Sequence, residues 1–186
     1  EIASCLVGSE MCIRDRNGSP RKNGCTYTAL NVVADALKAE GIDAEVFQAG
    51  DPDMENVKAA AAKLKDSDAL VVGSPVYWAS PSGQIIEFMD RLASVAGKDM
   101  LYKPAAAVAS ARRAGTTATL DVLTKYFSYH QMPVVSSCYW NMVHGNTPEE
   151  VMKDEEGVQI MRVLGKNMAW LLKCIEAGKK LSLIHI

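Results

Sequence analysis

Several features that mark common classes of protein are missing from this sequence. Its five cysteines form no CxxC pair and show no metal-ligand spacing, so neither a disulfide framework nor a zinc site is implied. No apolar run approaches the roughly 20 residues that span a bilayer. A net charge of −2 gives no reason to expect nucleic acid or an anionic membrane as a partner. We therefore expect a cytoplasmic protein in a reducing setting.

The size and composition fit one globular domain. A chain of 186 residues is long enough to bury a core of its own, and its 48% hydrophobic and 23% charged residues are ordinary for such a domain. The sequence shows no internal repeat, low-complexity stretch or interdomain linker. We therefore predict a single domain over residues 17–180.

Both ends of the chain look foreign to that domain. A short DNA element can encode residues 11–15, Met-Cys-Ile-Arg-Asp, and its opposite strand, read in a shifted frame, can encode the closing residues Leu-Ser-Leu-Ile-His-Ile. This pattern resembles a translated sequencing-library adapter that flanks a gene fragment. We expect residues 1–16 and 181–186 to be such sequence, and we exclude them from the fold as one would an expression tag.

Between these ends, helical periods alternate with short apolar runs. Leu30, Val33 and Leu37 follow the spacing of one helix face. A continuous apolar run over residues 69–72 is typical of a parallel strand that is buried on both faces. The other strands are predicted at residues 44–47, 105–109 and, last along the chain, 133–135, and a long loop is expected at residues 138–146. This alternation predicts a doubly wound α/β domain, in which a parallel sheet lies between two helical layers.

The first strand of such a domain is not recognisable. A helix that begins after residues 17–20, Asn-Gly-Ser-Pro, should follow a strand in the centre of the sheet. The sequence there is Met-Cys-Ile-Arg-Asp-Arg, and three charges in about six residues are costly inside a sheet. We therefore predict that the native first strand is absent and has been replaced by non-native sequence.

Three loops carry the residues that could bind a ligand. In an open parallel sheet, ligands bind beyond the carboxyl ends of the strands. The first loop, residues 17–26, offers the Ser19 and Thr26 hydroxyls and the Arg21 guanidinium beside a helix start, where backbone N–H groups favour an anion. It lacks the residue order of a P-loop or of a GxGxxG dinucleotide site. The alternative is a plain polar turn that caps a helix.

The second and third loops lie at the same predicted edge. In the second, residues 73–83, two prolines stiffen a segment that carries Tyr77 and Trp78, which suits a planar ligand, although these rings could simply cover the end of the sheet. In the third, residues 110–117, two arginines beside glycine and hydroxyl groups suit a ring carbonyl, a ribityl chain or a phosphate, unless they form a solvated basic turn. Three such loops at one edge are more informative than any one of them.

The three loops together resemble those of one known family. GSPRKNGCT at residues 18–26, GSPVYWASPSGQ at residues 73–84 and SARRAGTT at residues 110–117 are similar to loops of the NADPH-dependent FMN reductase branch of the flavodoxin-like superfamily. The resemblance implies a five-stranded parallel sheet in three α/β/α layers. It also implies FMN bound without a covalent bond, NAD(P)H as electron donor, a flavin, quinone or similar small molecule as acceptor, and a homodimer or homotetramer in which a neighbour helps to cover the flavin.

The resemblance also assigns residues to each part of the FMN. Ser19, Arg21, Asn23 and Thr26 would hold the phosphate; Pro75, Val76, Tyr77, Trp78 and Ser82 would line the ring; Ser110, Arg112 and Gly115 would reach its polar edge. No side chain is expected to act as acid or base, because the flavin carries the electrons.

Related iron–sulfur flavoproteins carry a cysteine cluster after the second strand. Here residues 47–52 read Phe-Gln-Ala-Gly-Asp-Pro, and Cys25, Cys138 and Cys174 do not have the spacing of cluster ligands. We therefore expect no iron–sulfur centre and no other metal.

Two alternatives to a reductase remain at this point. One is an electron carrier of the flavodoxin type, although a nearly neutral chain with arginines beside the ring favours a reductase. The other is a structural or regulatory homologue without flavin. All the flavin hypotheses require that Arg21, Tyr77 and Arg112 converge on one cleft.

Overall fold

Strands and helices alternate along the chain, as the sequence predicts. We use a computed structural model, which describes residues 12–19, 21 and 23–181, with the backbone alone for residues 12–16. The strands are β1 (Cys12–Asn17), β2 (Asp43–Gln48), β3 (Ala69–Tyr77), β4 (Ser80–Pro81), β5 (Ala105–Ala111) and β6 (Met142–His144). The helices are α1 (Cys25–Ala39), α2 (Met54–Lys65), α3 (Gly83–Met100), α4 (Thr116–Tyr129), α5 (Pro148–Lys153) and α6 (Glu155–Lys180).

Five strands form a parallel path in the order β2-β1-β3-β5-β6, and β4 pairs antiparallel with β3 as a short hairpin. The order reverses between β1 and β3, and such a reversal opens a crevice at the carboxyl ends of the strands. The predicted α/β fold with a parallel sheet is confirmed, and the reversal determines where a ligand site belongs.

The helices cover both faces of the sheet. One apolar core joins residues of α1, α5 and α6 to one face, and a second core joins residues of α2, α3 and α4 to the other. Val71 faces the first core, and Leu70 and Val72 face the second, because successive side chains of a strand point to opposite faces. None of the helices in the described residues is long and apolar enough to cross a membrane.

A strand occupies the central position for which we expect non-native sequence. The backbone of β1 pairs with both neighbours, with Ile13 opposite Ala44 on one side and Ala69 on the other. Residues 12–17 can pair in this way because ladder hydrogen bonds use only main-chain groups, which any sequence except proline supplies; the replacement of a native first strand stays a prediction. The foreign origin of residues 1–16 and 181–186 stays a prediction, and residues 1–11 and 182–186 lie outside the described residues.

The far edge of the sheet also differs from the prediction. Residues 133–135 do not form the last strand, since only Val134 makes an isolated bridge, to Ala105. Pro133 has no N–H to donate, and the chain then leaves the edge. The side chain of Asn141 donates to the carbonyl of Ala107 at 3.0 Å, and the edge strand β6 follows inside the segment that we expected to be a loop.

Candidate functional site

A cleft of about 220 Å³ opens at the carboxyl ends of β1, β3, β5 and β6. It lies at the reversal of strand order, where the fold places ligands. Its lining consists of Ser19, Arg21, Gly24, Cys25, Thr26, Pro75, Val76, Tyr77, Ser110, Ala111, Arg112, Gly145 and Asn146. Arg21, Tyr77 and Arg112, which are distant in the sequence, thus share one cleft, as the flavin hypotheses require.

The first loop is held in place by side chains beneath it. Asn17 accepts a hydrogen bond from the backbone N–H of Ser19 at 3.1 Å and donates to Gln48 Oε1 at 2.8 Å. Ser19 Oγ in turn accepts from the backbone N–H of Arg21 at 3.1 Å. A Cβ at Gly18 would lie 2.6 Å from Cβ of Ile85, so only glycine allows the loop to touch α3. These contacts fix the loop at the cleft.

The helix that follows this loop begins without a side-chain cap. Gly24 is the N-cap residue of α1, no side chain accepts from the first turn, and the first turn contains no acidic residue. The free N–H groups of a helix start attract an anion. With Arg21 nearby, this end of the cleft combines backbone donors with a cation.

Two buried hydroxyls join the first and third loops. Thr26 Oγ1 and Ser110 Oγ lie 2.7 Å apart, and either can be the donor. Next to them, Cys25 Sγ donates to the carbonyl of Gly145 at 3.6 Å. Burial is the largest effect on the Cys25 thiol and raises its pKa, although its backbone hydrogen bond and Arg21 act in the opposite direction. The thiol is therefore a neutral wall of the cleft near neutral pH.

The second loop is the hairpin between β3 and β4. Tyr77 lies on the cleft and is 43% exposed, whereas Trp78 at the tip is 100% exposed. Trp78 and Ala79 both have positive φ angles, 52° and 57°, in the left-handed region. Ser74 Oγ accepts from the backbone N–H of Ser82 at 3.0 Å and thus holds the base of the hairpin.

Ser82 is buried below the cleft rather than on it. Its Oγ donates to the carbonyl of Gly18 at 2.7 Å and accepts from the backbone N–H of Ile85 at 3.3 Å. It therefore caps α3 and ties the second loop to the first.

The third loop leads into α4 and contacts the hairpin tip. Gly115 has a φ of 103°, and a Cβ there would lie 2.8 Å from Cα of Ala79. Arg112 and Arg113 are both exposed. Within the described residues, no carboxylate forms an ion pair with either of them or with Arg21. The arginines at the rim therefore form no direct ion pair, although Glu149 and Glu150 lie near enough to act on the thiol of the lining residue Cys25.

Most of the sequence-predicted residues come together, and four do not line the cleft. Asn23, Trp78, Ser82 and Gly115 lie in the three predicted loops but outside the lining. Sequence reasoning missed Gly24, Cys25, Ala111, Gly145 and Asn146 as lining residues. A signal for the last two was available, because Thr147 and Glu150 form a capping motif that marks the end of a loop at this edge.

Metal ligands are not gathered in the part of the chain that the structure describes. It contains no group of three or more histidine, cysteine or acidic residues that could hold a metal ion. The three cysteines with described side chains are free and lie at the start of α1, in the loop before β6 and near the end of α6.

Comparisons with known proteins agree with this geometry. The model of the NADPH-dependent FMN reductase family matches residues 17–147. An iron–sulfur flavoprotein of Methanocaldococcus jannaschii is 28% identical to this chain over 186 residues, which cover 86% of the chain and 96% of the relative.

Solved structures show the same fold at lower identity. A WrbA-like flavodoxin from Agrobacterium tumefaciens superposes with a TM-score of 0.70 at 20% identity, over 89% of this chain and 99% of that one. The flavoenzyme FerB of Paracoccus denitrificans, an NAD(P)H:(acceptor) oxidoreductase, superposes with a TM-score of 0.71 at 15% identity, over 88% of this chain and 98% of that one. The flavodoxin-like fold predicted from the sequence is confirmed.

Proposed function

We propose a specific electron-transfer reaction for this chain, which belongs to the NADPH-dependent FMN reductase family. The chain is an FMN-dependent oxidoreductase, and FMN is its cofactor. We propose that it takes electrons from NAD(P)H and passes them to a small acceptor, such as a flavin or a quinone. The observation that carries the proposal is that an anion-binding end and an aromatic wall meet in one cleft.

The phosphate of FMN fits the end of the cleft at the start of α1. Its donors there would be the Arg21 guanidinium, the Ser19 and Thr26 hydroxyls, the Asn23 amide and the uncapped N–H groups of the helix. A charged guanidinium and backbone N–H groups are the usual partners of a phosphate in proteins. The donors of this end therefore match the chemistry of the group.

The ring fits between the second and third loops. Pro75, Val76, Tyr77 and Trp78 would provide its walls, and Ser110 and Arg112 would face its polar edge, where a cation stabilises negative charge on a reduced ring. Ser82 and Gly115 would act by position: the first ties two loops together, and the second lets the hairpin tip approach α4.

Bound FMN would supply the redox chemistry, namely hydride acceptance from a nicotinamide and electron donation to the acceptor. The chain's own residues bind and orient it. No lining residue is required as a general acid or base, and Cys25, whose pKa is raised by burial, stays neutral beside the phosphate end.

The cleft is too small to enclose FMN by itself. Its volume of about 220 Å³ is below the range of roughly 300–1,000 Å³ that is typical of pockets that enclose a small ligand. We therefore propose that this chain covers only one side of the ring, and that a second copy in a homodimer or homotetramer completes the site.

We also propose that residues 17–180 form the functional domain and that it works with flavin alone, without an iron–sulfur cluster.

The alternative is a flavodoxin-type carrier that has no nicotinamide substrate. The arginines at the rim favour a reductase, because they attract a phosphate-bearing dinucleotide. The test is anaerobic stopped flow, in which holoprotein is mixed with NADPH or NADH and the visible flavin absorbance is followed. We expect rapid bleaching with at least one nucleotide. Bleaching with neither, together with rapid bleaching by dithionite, would leave the carrier as the function.

A further inference from the structure

Two carboxamide side chains below the first loop hold both polar groups of the Ser19 backbone. The N–H of Ser19 donates to Asn17 Oδ1 at 3.1 Å, Asn17 Nδ2 donates to Gln48 Oε1 at 2.8 Å, and Gln48 Nε2 donates to the carbonyl of Ser19. The three bonds run in one direction around a closed ring, in which each bond polarises and strengthens the next. Gln48, the last residue of β2, is thus bonded to a residue 29 positions earlier in the chain.

The chemistry of the two amides allows only this arrangement. If the Gln48 amide were rotated by half a turn, its oxygen would face the Ser19 carbonyl and its NH2 group would face the NH2 group of Asn17. Like atoms would then oppose each other at both contacts. The ring therefore needs a side chain at position 48 that accepts on one side and donates on the other, and glutamine supplies both groups without a charge.

The ring is closely packed and shielded from water. Asn17 is fully buried, and Ser19 is 4% exposed. A Cβ at Gly50 would collide with the carbonyl oxygen of Ser19 and lie 2.6 Å from Gln48 Nε2, so the chain after β2 lies directly on this bond. The backbone N–H of Ala49 also donates to the carbonyl of Asn17 at 2.9 Å. Loss of one bond of the ring would therefore leave a buried polar group without a partner, which is costly.

Ser19 connects this ring to the cleft. It lines the cleft, and its Oγ accepts from the backbone N–H of Arg21 at 3.1 Å, whereas Gln48 is not a lining residue. A carbonyl oxygen carries partial negative charge and repels a phosphate. The bond to Gln48 draws the Ser19 carbonyl toward β2 and leaves the donors of the loop to the anion.

We propose that Gln48 is a positioning residue for the FMN phosphate, although it does not line the cleft. By fixing Ser19 through the ring, it sets the orientation of the loop whose Arg21 guanidinium and N–H groups bind the phosphate. The inference rests on the proposed position of the phosphate at the start of α1, and it is independent of the electron donor and acceptor. Position 48 should therefore control the affinity for FMN but not that for riboflavin, which lacks the phosphate.

The test uses two variants of Gln48 that differ in what they can donate. Gln48→Met has a similar length and removes the amide. In Gln48→Glu the ionised side chain accepts but cannot donate to Ser19, whereas the protonated acid donates again through its O–H. Gln159→Glu, the same change at an exposed position on α6, is the matched control.

Fluorescence titration of each apoprotein with FMN and with riboflavin gives the two dissociation constants. Burial raises the pKa of a carboxyl group, so titrations between about pH 5 and pH 8 sample both forms of the new side chain in Gln48→Glu. The charged groups of β2, of the loop after it and of the helices that contact them are the same in every variant: Glu45, Asp51, Asp53, Lys63 and Arg91. Each constant is therefore compared with that of wild type at the same pH, which also accounts for the titration of the FMN phosphate.

We expect the FMN dissociation constant of Gln48→Met to rise about tenfold, because the phosphate loses a fixed set of donors, while that of riboflavin stays at the wild-type value. Gln48→Glu should show a similar loss at the alkaline end of the range and recover toward wild type at the acid end, where the O–H restores the bond to Ser19. Gln159→Glu should match wild type at every pH.

Three results would overturn the inference. Equal losses of FMN and riboflavin affinity in the Gln48 variants would show a general structural role. A loss in Gln48→Glu alone, with Gln48→Met like wild type, would show that added charge rather than the ring is responsible. Absence of recovery at low pH would show that the bond to Ser19 does not matter, and this profile decides the question alone if Gln48→Met does not fold.

Arg21→Ala separates this outcome from that of the proposed phosphate site. If it lowers FMN affinity while the Gln48 variants do not, the phosphate binds at the start of α1 and only the positioning role fails. If Arg21→Ala also leaves FMN affinity unchanged, the proposed phosphate site fails as well.

Discussion

The helices of this fold begin in two different ways, and the difference marks the site. Asp53, Ser82, Thr147 and Asp154 each accept a backbone N–H at the start of α2, α3, α5 and α6. In contrast, α1 and α4 begin at Gly24 and Gly115, with no side-chain cap and no acidic residue in the first turn. Both uncapped helices follow loops that line the cleft. Every uncapped helix start in the described residues thus lies at the cleft, where its N–H groups are available to a ligand, although the capped helices α3 and α5 also follow segments that line it.

The largest effect is expected where the first loop touches α3. In Gly18→Ala the new Cβ would lie 2.6 Å from Cβ of Ile85 and 2.8 Å from the carbonyl oxygen of Gly73, so the loop must move. We expect the free energy of unfolding to fall by about 1–3 kcal/mol and FMN binding to be lost. Urea unfolding and flavin fluorescence titration measure the two effects.

Gly83→Ala is the matched control, because a Cβ at Gly83, the first residue of α3, would meet nothing within 4 Å. If Gly18→Ala bound FMN as the control does, the close contact between the loop and α3 would not be what positions the site.

The uncapped start of α1 can be capped by substitution. In Gly24→Asp the new carboxylate would accept the free N–H groups and so stabilise the apoprotein, by about a few tenths of a kcal/mol. The same carboxylate would repel the FMN phosphate, so we expect FMN affinity to fall at least tenfold while riboflavin, which has no phosphate, is affected less. Fluorescence titration with both flavins measures this difference.

Gly24→Ala controls for the added Cβ, which would lie 3.2 Å from Cβ of Arg21. Equal losses of FMN and riboflavin affinity in Gly24→Asp would show that the phosphate does not bind at this helix start.

The smallest effect is expected at a capped helix away from the cleft. Asp53 Oδ1 accepts from the backbone N–H of Asn56 at 2.8 Å at the start of α2. We expect Asp53→Ala to lower the free energy of unfolding by about 1 kcal/mol and to leave the FMN dissociation constant as it is. A changed FMN affinity would mean that the cap of α2 contributes to flavin binding as well as to stability.

Sequence reasoning found the parts of the site that depend on local chemistry. The hydroxyl groups, arginines and aromatic residues of three loops were recognisable because each loop follows an apolar run that predicts a buried strand, and parallel strands end at one edge. The sequence alone therefore predicts that Arg21, Tyr77 and Arg112 share one cleft, as they do.

What the sequence concealed depends on tertiary contacts. The pairing of β1 on both sides comes from neighbouring strands, not from its own charged sequence. The far edge was predicted at Pro133, but Asn141 bonds β5 through its side chain and shifts the strand to Met142–His144. This shift brings Gly145 and Asn146 to the cleft; the capping motif at Thr147 marks where their segment ends but not that it follows an edge strand.

The bond between Thr26 and Ser110 has a consequence for ligands of changing charge. Two hydroxyls that share one hydrogen bond can reverse its direction, since either oxygen can be the donor. In one direction the remaining free hydrogen belongs to Thr26, and in the other it belongs to Ser110. The floor of the cleft can thus present its donor either at the start of α1 or at the end of β5 by rotation of hydrogens alone. It can then follow a redistribution of electron density above it while every heavy atom stays in place.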